Sequence, residues 1–523
     1  MLSVVKENVK EMRTNAKDAT TNVKYWHQTY GSVMASLTIL MSSFWTIYIS
    51  PVLLKFNNNE IDFNITVTEK TWIVSIMDFG NLLSPIVAGQ VMDRYGRKRT
   101  LVFSALVYVA CAVLVLFARS AAHLFAARLL AGISKGLAFT VTPIYVAEIS
   151  SKNIRGKLSS YFYGFFCVGT VVATAIGPYV SFHTYNLISL TLPVFFLVMT
   201  IPLPESPYYY VMTNQQDKAK KALQWYRDIS TKQKEFLTEM EFEEITETIA
   251  SQSTVKGNYK ELFANSVFRR ALVIVSMIGL TQRFGGISYM LSYGAHDLPD
   301  SGARNWFAVK ECFVVFSVVS ILANIPPAIF VDRVGRKPIL LWSAITTSVV
   351  LYVGVAYFVI FNASGRNIAC GCGGVSRDDK YFWIPYGVVI FFSFSFTAGL
   401  GVLTATFQGE MFPSKIKRYA SSTLIMLLSA ASFLINLSHQ TVTERFGVAG
   451  NYFVGATSCA CFSVYAYFYV FETKGKTLKE IQDSLMGDVK TPTTTTTLES
   501  APPPPSLAEE VKEQVPVAPA SES

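Results

Sequence analysis

Charged residues are scarce in this sequence. Asp, Glu, Lys and Arg together make up 15% of its 523 residues, whereas 51% of the residues are hydrophobic and 14% are aromatic. Soluble globular domains usually carry about 25% charged residues. So low a share excludes an ordinary soluble domain and indicates a protein that lies within a lipid bilayer.

Histidine and cysteine, two common metal ligands, are also few. The five histidines and seven cysteines are scattered along the chain. The histidines lie mostly at the ends of predicted helices, so we expect polar surface residues. Five of the cysteines fall in apolar runs and are expected to pack as small apolar side chains. With no nucleotide-binding loop, no metal-ligand cluster and no nucleophile placed near a base, the sequence predicts neither an enzyme nor a bound cofactor or metal.

Long apolar runs fill most of the chain. A helix that spans a bilayer needs about 20 mainly apolar residues. The sequence therefore predicts an all-α membrane protein with twelve transmembrane helices. The predicted spans are 31–54, 71–92, 100–118, 121–148, 158–182, 186–204, 270–294, 306–331, 338–361, 381–409, 418–441 and 446–471.

One short charged phrase occurs twice, 239 positions apart. It reads DRYGRK at 93–98 and DRVGRK at 332–337, each time between two long apolar runs. Internal repeats of this kind are typical of transporters built from two similar halves. We therefore predict two pseudo-symmetric six-helix bundles, at 31–204 and 270–471.

The polar segments complete the predicted organisation. Residues 1–30 are expected to form a cytoplasmic tail, and 205–269 a cytoplasmic linker with polar helices near 215–229 and 232–251. Residues 472–523 are expected to form a second cytoplasmic tail. Most of that tail is predicted to be disordered, because it contains a Thr tract and a Pro tract among acidic residues and cannot bury a core.

The net charge of +9 is concentrated in short turns rather than in a nucleic-acid-binding patch. Four turns, 93–99, 152–157, 333–337 and 415–418, hold 13 Lys or Arg in 22 residues. Short basic loops stay in the cytoplasm, so both termini are predicted to be cytoplasmic, and we expect the plasma membrane as the location. The glycosylation sequons at Asn64 and Asn362 then fall outside. No nucleic-acid partner is expected, and the oligomeric state is left open.

Several phrases carry a family resemblance. They are the first repeat with Gly89 before it, RLLAG at 128–132, PIYVAE at 143–148, PESP at 204–207, EMFP at 410–413 and ETKG at 472–475. Together they resemble the sugar-porter family of the major facilitator superfamily. The stretches 71–75 and 177–181 are most similar to its insect facilitated trehalose transporter branch.

The resemblance implies the major facilitator fold and facilitative transport of glucose or trehalose by alternating access. Three alternatives stay open: another small solute, which Arg283 suggests could be anionic; a proton-coupled sugar symporter; and a transporter-like nutrient sensor. Proton symporters of the family that this sequence resembles place an acid in the first helix, opposite the Arg of the fourth. The first span here, 31–54, contains no Asp or Glu, and this departure favours passive transport. Asp78 could supply that carboxylate from a neighbouring helix.

Opposite charges gather at the predicted cytoplasmic helix ends. They could bridge the two halves and bias an outward-open state, a lock that the resemblance also implies, or they could only fix topology. The candidate gating residues are Asp93, Arg94, Arg97, Glu148, Arg155, Glu205, Asp332, Arg333, Arg336, Glu410 and Glu472.

The substrate phrases depart from the family pattern. The seventh span reads QRFGGIS at 282–288, where sugar porters usually have QQxSGxN. The family Trp and several family amides are missing, and missing polar partners weaken the binding of hydroxyl groups. The candidate substrate-binding residues are Gln282, Arg283, Ser288, Tyr163, Ser320 and Thr404.

Five charges inside predicted spans are functional candidates. Asp78 and Arg128 lie at similar depth and could pair, and Lys135 is a second possible partner of Asp78. For Arg283 we weigh a structural pair with Glu311 against an anion-selective cavity.

Overall fold

The computed structural model describes residues 25–151, 154–227, 234–254, 259–298, 309–363 and 383–474, with a few further positions up to 485. All regular structure in these ranges is helical. The first half contains α1 (Trp26–Ile47), α2 (Ile49–Asn57), α3 (Val67–Tyr95), α4 (Arg97–Leu116), α5 (Ala121–Ile149), α6 (Arg155–Ile176) and α7 (Phe182–Met199).

Four short helices follow and lead into the second half. The linker helices are α8 (Pro207–Met212), α9 (Gln216–Arg227), α10 (Lys234–Thr254) and α11 (Tyr259–Ala264). The second half contains α12 (Ser266–Gln282), α13 (Ser288–Asp297), α14 (Val309–Leu322), α15 (Ile325–Val334), α16 (Arg336–Ala363), α17 (Trp383–Phe396), α18 (Val402–Met411), α19 (Ser414–Phe446) and α20 (Val448–Tyr469).

Each predicted span coincides with a helix or with two consecutive helices. By length and composition alone, eleven of these helical segments in the described ranges can cross a membrane. The segment outside that selection is α20, which carries no charge but contains four tyrosines and several small polar residues. Its position as the twelfth long helix agrees with the sequence prediction.

The two copies of the repeated phrase form the same tight turn. Gly96 joins α3 to α4 with φ of 104°, and Gly335 joins α15 to α16 with φ of 103°. Only glycine adopts this backbone conformation without strain. We call the end of the helices that carries these two turns the basic-turn end.

The two halves contact each other mainly along two pairs of helices. Helix α3 packs against α19, and α6 packs against α14; at the end opposite the basic turns, α13 also packs against α2. The halves are thus in contact far from the basic turns.

The linker rests on the first half. Arg227 of α9 donates a hydrogen bond to the carbonyl of Ile149 at 2.9 Å, and the hydroxyls of Tyr226 and Tyr145 lie 2.7 Å apart. Helices α9 and α10 correspond to the two polar helices predicted in the linker.

The described residues fall in one compact unit, which ends at Met486. The proposed division into two bundles therefore stays a prediction. Residues 1–24, the tail beyond Leu485 and the side chains of Asp332 and Asn362 lie outside the described part of the structure.

Candidate functional site

Two long helices of the second half are interrupted near their middle. Between α12 and α13, residues Arg283–Ile287 form a π-helical turn in which Gly286 has φ of 117°. Between α17 and α18, residues Thr397–Gly401 form a second one. Gln282 joins the two interruptions, because its Nε2 donates to the carbonyl of Gly401 at 3.0 Å. Interrupted helices of this kind expose backbone polar groups where transporters bind solutes.

The other candidate substrate residues lie in three separate groups. Thr404, one turn after the second interruption, hydrogen-bonds its hydroxyl to the carbonyl of Leu400 at 3.2 Å. Ser288 faces Ser432 of α19, with 3.2 Å between the hydroxyl oxygens. The structure thus places Gln282 and Thr404 around the same π-helical turn, and Ser288 on the face toward α19.

Ser320 and Tyr163 meet through Asn324. The Asn324 side chain donates to the carbonyl of Ser320 at 2.6 Å, and Tyr163 interacts with the same amide. The Ser320 hydroxyl also lies 2.6 Å from that of Ser393. Because Tyr163 belongs to α6 and Ser320 to α14, this group joins the two halves.

Asp78 forms its ion pair with Lys135, the second of the two expected partners. The Lys135 Nζ lies 4.0 Å from Oδ1 of Asp78, and the Asn436 side chain donates to Oδ2 at 2.9 Å. Asn436 belongs to α19, so the Asp78 carboxylate joins two helices of the first half to one of the second.

The expected contact between Asp78 and Arg128 is not formed. Arg128 is 2% exposed, and all its hydrogen bonds within the described structure go to backbone carbonyls. Asp78 acts on Arg128 electrostatically. The carbonyls of Trp45, Ile73 and Val74 accept the hydrogen bonds that the guanidinium donates. A guanidinium has five N–H donors, and the backbone carbonyls of helices α1 and α3 around it offer more oxygens than one carboxylate does.

The pair between Arg283 and Glu311, one of the two alternatives weighed for Arg283, is not formed in this structure. Glu311 accepts a hydrogen bond from Tyr179 at 3.0 Å and lies 3.9 Å from Lys310. The carboxylate that acts electrostatically on Arg283 is Asp78. The buried Nε of Arg283 has no hydrogen-bond partner among the described atoms.

At the basic-turn end of the first half, the charges form a closed cluster. The Arg97 guanidinium donates to Oε1 of Glu148 from Nη2 at 3.0 Å and lies 3.7 Å from Asp93. The Ser206 hydroxyl donates to the other oxygen of Glu148 at 2.5 Å. Glu205 accepts hydrogen bonds from backbone amides at the start of α4, where an anion is favoured by the helix dipole.

The second half repeats this arrangement. The Arg336 guanidinium donates to Oε1 of Glu410 at 3.1 Å, and the Thr473 hydroxyl donates to Oε2 at 2.6 Å. Glu472 takes the place of Glu205 and accepts the backbone amides of Arg336 at 2.8 Å and Lys337 at 3.0 Å. Partial burial alone would raise the pKa of Glu472, but the amide hydrogen bonds outweigh it and lower the pKa below its ordinary value.

In this structure the clusters do not bridge the halves, and the expected lock between the halves stays a prediction. Both members of the Arg97–Glu148 pair belong to the first half, and both members of the Arg336–Glu410 pair belong to the second. The physical reason is local: each basic turn lies directly beside the helix ends of its own half. The described ion pairs therefore hold each half together rather than bridging the two.

The remaining gating candidates have weaker roles in the structure. Arg155 donates to the carbonyl of Ser150 at 3.4 Å. The exposed Arg94 lies over the ring of Tyr95, with 5.5 Å between the guanidinium carbon and the ring centre. Arg333 is also exposed. None of these observations tests their part in gating.

The comparisons with known proteins fit this geometry. Over residues 11–485 the sequence matches the family described as "Sugar (and other) transporter". The chain belongs to the sugar transporter family. As a member of this family with long membrane-spanning helices, it is an integral membrane protein, and its relatives are transporters rather than enzymes.

Curated sugar transporter relatives include proteins called facilitated trehalose transporter Tret1. Those of Drosophila pseudoobscura pseudoobscura and Polypedilum vanderplanki are each 26% identical to this chain, over 475 and 478 residues and 90% of its length. The alignments cover 52% of the Drosophila protein and 90% of the Polypedilum protein. The chain thus spans about half the length of the first of these relatives.

Solved structures of the sugar transporter family share the fold. The xylose transporter XylE from E. coli, in a partially occluded inward-open conformation, is 18% identical, with a TM-score of 0.68 over 86% of this chain and 100% of that one. The proton:xylose symporter XylE bound to 6-bromo-6-deoxy-D-glucose gives 0.66, over 88% of this chain and 99% of that one. The predicted major facilitator fold is confirmed.

Several polar residues of the helix interfaces were missed by sequence reasoning. The Asn81 side chain donates to Ser429 across the halves at 2.7 Å. His439, expected on the surface, is 2% exposed, and its Nε2 lies 2.9 Å from Oδ2 of the buried Asp297. The available signal was a polar residue inside an apolar run, since burying it requires a partner.

Proposed function

We propose that this chain carries a sugar, glucose or trehalose, across the plasma membrane by alternating access and without a coupled ion. The observation that best supports alternating access is that each charge cluster forms within a single half. Because Arg97–Glu148 and Arg336–Glu410 each remain within one half, the halves can rotate against each other without breaking either pair. Polar contacts such as Asn81–Ser429 are weaker and can exchange during the cycle.

Facilitated rather than coupled transport is supported by the first helix. Helix α1 contains no carboxylate beside the buried Arg128, and the nearest candidate, Asp78, is paired with Lys135 and hydrogen-bonded by Asn436. The resulting proposal is a uniporter.

Uptake into proteoliposomes tests this function. The purified full-length chain should take up radiolabelled glucose or trehalose saturably until the inside and outside concentrations are equal. A pH gradient imposed across the vesicles should leave the end point unchanged. Accumulation above the outside concentration, driven by the pH gradient, would show proton coupling instead, and no saturable uptake of either sugar would refute the proposal.

The proposed orientation puts the basic-turn end and both termini in the cytoplasm. Asn64 is exposed in the connection between α2 and α3, at the opposite end, and should carry a glycan in cells. Asn64→Gln should remove the part of the glycosidase-sensitive mobility shift that the glycan on Asn64 causes. Asn436→Gln is the matched control, because Asn436 is 3% exposed inside α19 and its sequon should never be modified. An epitope in 228–233 that stains on intact cells would refute the orientation.

A further inference from the structure

Three basic side chains and one carboxylate lie together inside the membrane-spanning helices. Asp78 acts electrostatically on Arg128, on Lys135 and on Arg283. Three positive charges less one negative charge leave the cluster with a formal charge of +2. A surplus of charge in a low-dielectric interior is costly unless a counter-charge compensates it.

The three cations differ in how many of their N–H groups donate hydrogen bonds. Arg128 donates to three backbone carbonyls and is fixed in the protein interior. Lys135 is 11% exposed, and its nearest carboxylate oxygen is at 4.0 Å, too far for a hydrogen bond. Within the described structure neither Lys135 nor Arg283 donates a hydrogen bond, and the Nε of Arg283 is buried without a partner.

The two cations with unused protons come from different halves. Lys135 lies in α5 of the first half, and Arg283 opens the π-helical turn after α12 of the second half. The two interact electrostatically, and like charges repel. An anion between them would remove this repulsion and accept hydrogen bonds from both halves at once.

We propose that Lys135 and Arg283 bind the carboxylate of the transported solute, so that the preferred substrate is an acidic sugar of the hexuronate class. This inference rests on the proposed transport by alternating access, and it replaces the neutral sugars proposed above with an acidic sugar. A neutral hexose would leave both cations without a counter-charge.

A matched pair of ligands tests whether the negative charge of the substrate matters for transport. Glucuronate and its methyl ester have the same sugar ring, but the ester lacks the negative charge. We expect the purified full-length chain in proteoliposomes to take up glucuronate with a kcat/KM about tenfold or more above that of the ester, as expected for hydrogen bonds to a charged group. Glucose and trehalose are measured in the same vesicles.

A matched pair of variants isolates the residue. Arg283→Gln should reduce the preference for glucuronate to near unity. Arg269→Gln is the control: it makes the same substitution near the start of α12, at an exposed position about 20 Å from Arg283 along the helix axis, and should keep the full preference. Arg283→Lys retains the charge and should restore part of the preference, even if Arg283→Gln folds poorly.

The outcomes separate this inference from the proposed function. Equal uptake of glucuronate and ester by the wild type, or a preference that Arg283→Gln leaves intact, overturns the inference and leaves sugar transport standing. Absence of any sugar uptake refutes the transport function. In that case equilibrium binding of labelled glucuronate to the detergent-solubilised protein decides the anion site: charge-dependent binding that Arg283→Gln abolishes supports it, and no binding refutes it.

Discussion

Two glycines occupy equivalent positions where no other residue fits. Besides its positive φ, each of Gly96 and Gly335 lies against a carboxylate. A Cβ at Gly96 would lie 2.4 Å from Oε2 of Glu205, and one at Gly335 would lie 2.5 Å from Oε2 of Glu472. Both glutamates bind the backbone amides just after the glycine, so the contact cannot relax without loss of those hydrogen bonds.

Substitution of these glycines should therefore destabilise the protein. Gly96→Ala or Gly335→Ala is expected to cost about 1–3 kcal/mol from backbone strain alone and to lower the Tm of the solubilised protein. Gly89→Ala is the control, since its added methyl group would meet nothing within 4 Å. Equal Tm values for all three variants would contradict the assigned role of the glutamates.

Substitutions of Arg97 and Arg94 test whether burial determines how much a charged side chain contributes to stability. Arg97→Gln should destabilise the protein by about 3–5 kcal/mol, because it removes the buried cation of Glu148, whose side chain is only 12% exposed. Arg94→Gln, at an exposed position, should change stability by no more than about 0.5 kcal/mol. Chemical unfolding or thermal stability measurements distinguish them, and Glu148→Gln added to Arg97→Gln should recover part of the loss.

Individual pairs were the least predictable part of the site. The sequence marked Asp78, Lys135 and Arg128 as intramembrane charges, but depth along separate helices did not reveal that Arg128 would be taken by backbone carbonyls. His439 was misjudged for the same reason. Whether a polar residue near a helix end faces solvent or Asp297 depends on packing between helices, which one sequence does not encode locally.

At the scale of helices, the length of the apolar runs was enough to predict most of the helical segments. Every predicted span matches a helical segment, because about 20 apolar residues have few alternatives to a membrane helix. The interruptions at Arg283–Ile287 and Thr397–Gly401 were not predicted. Glycine also occurs in continuous membrane helices, so the sequence does not mark these turns; in the folded structure the first of them packs against α19 and α20.

The interruption at Gly286 gives a prediction about transport. Gly286→Ala should lower the transport rate more than it lowers surface expression, because φ of 117° disfavours a side chain and a Cβ would lie 3.1 Å from the Tyr289 hydroxyl. Gly401→Ala is the control: its φ is −63° and its nearest neighbour would be at 3.5 Å. Initial uptake rates, normalised to protein at the surface, measure the difference, and equal rates would refute it.

At the scale of the whole molecule, the contacts between halves define one conformational state. The hydroxyls of Thr174 in α6 and Ser317 in α14 lie 3.1 Å apart. Thr174→Cys combined with Ser317→Cys should form a disulfide under mild oxidation and reduce uptake about tenfold or more, because the halves can no longer separate there. Reduction should restore uptake. Each single variant is a control, and full activity of the cross-linked protein would exclude the opening of this contact during the cycle.

The closed charge clusters also bear on how the protein could be assembled. Since Arg97–Glu148 and Arg336–Glu410 each join residues of one half, neither cluster requires that the halves share a peptide chain. A break between Thr254 and Tyr259 would keep α9, with its Arg227 contact, on the first half. Two co-expressed fragments, 1–254 and 259–523, should therefore associate within the bilayer and regain uptake, as interface burial and not covalent continuity would hold them together.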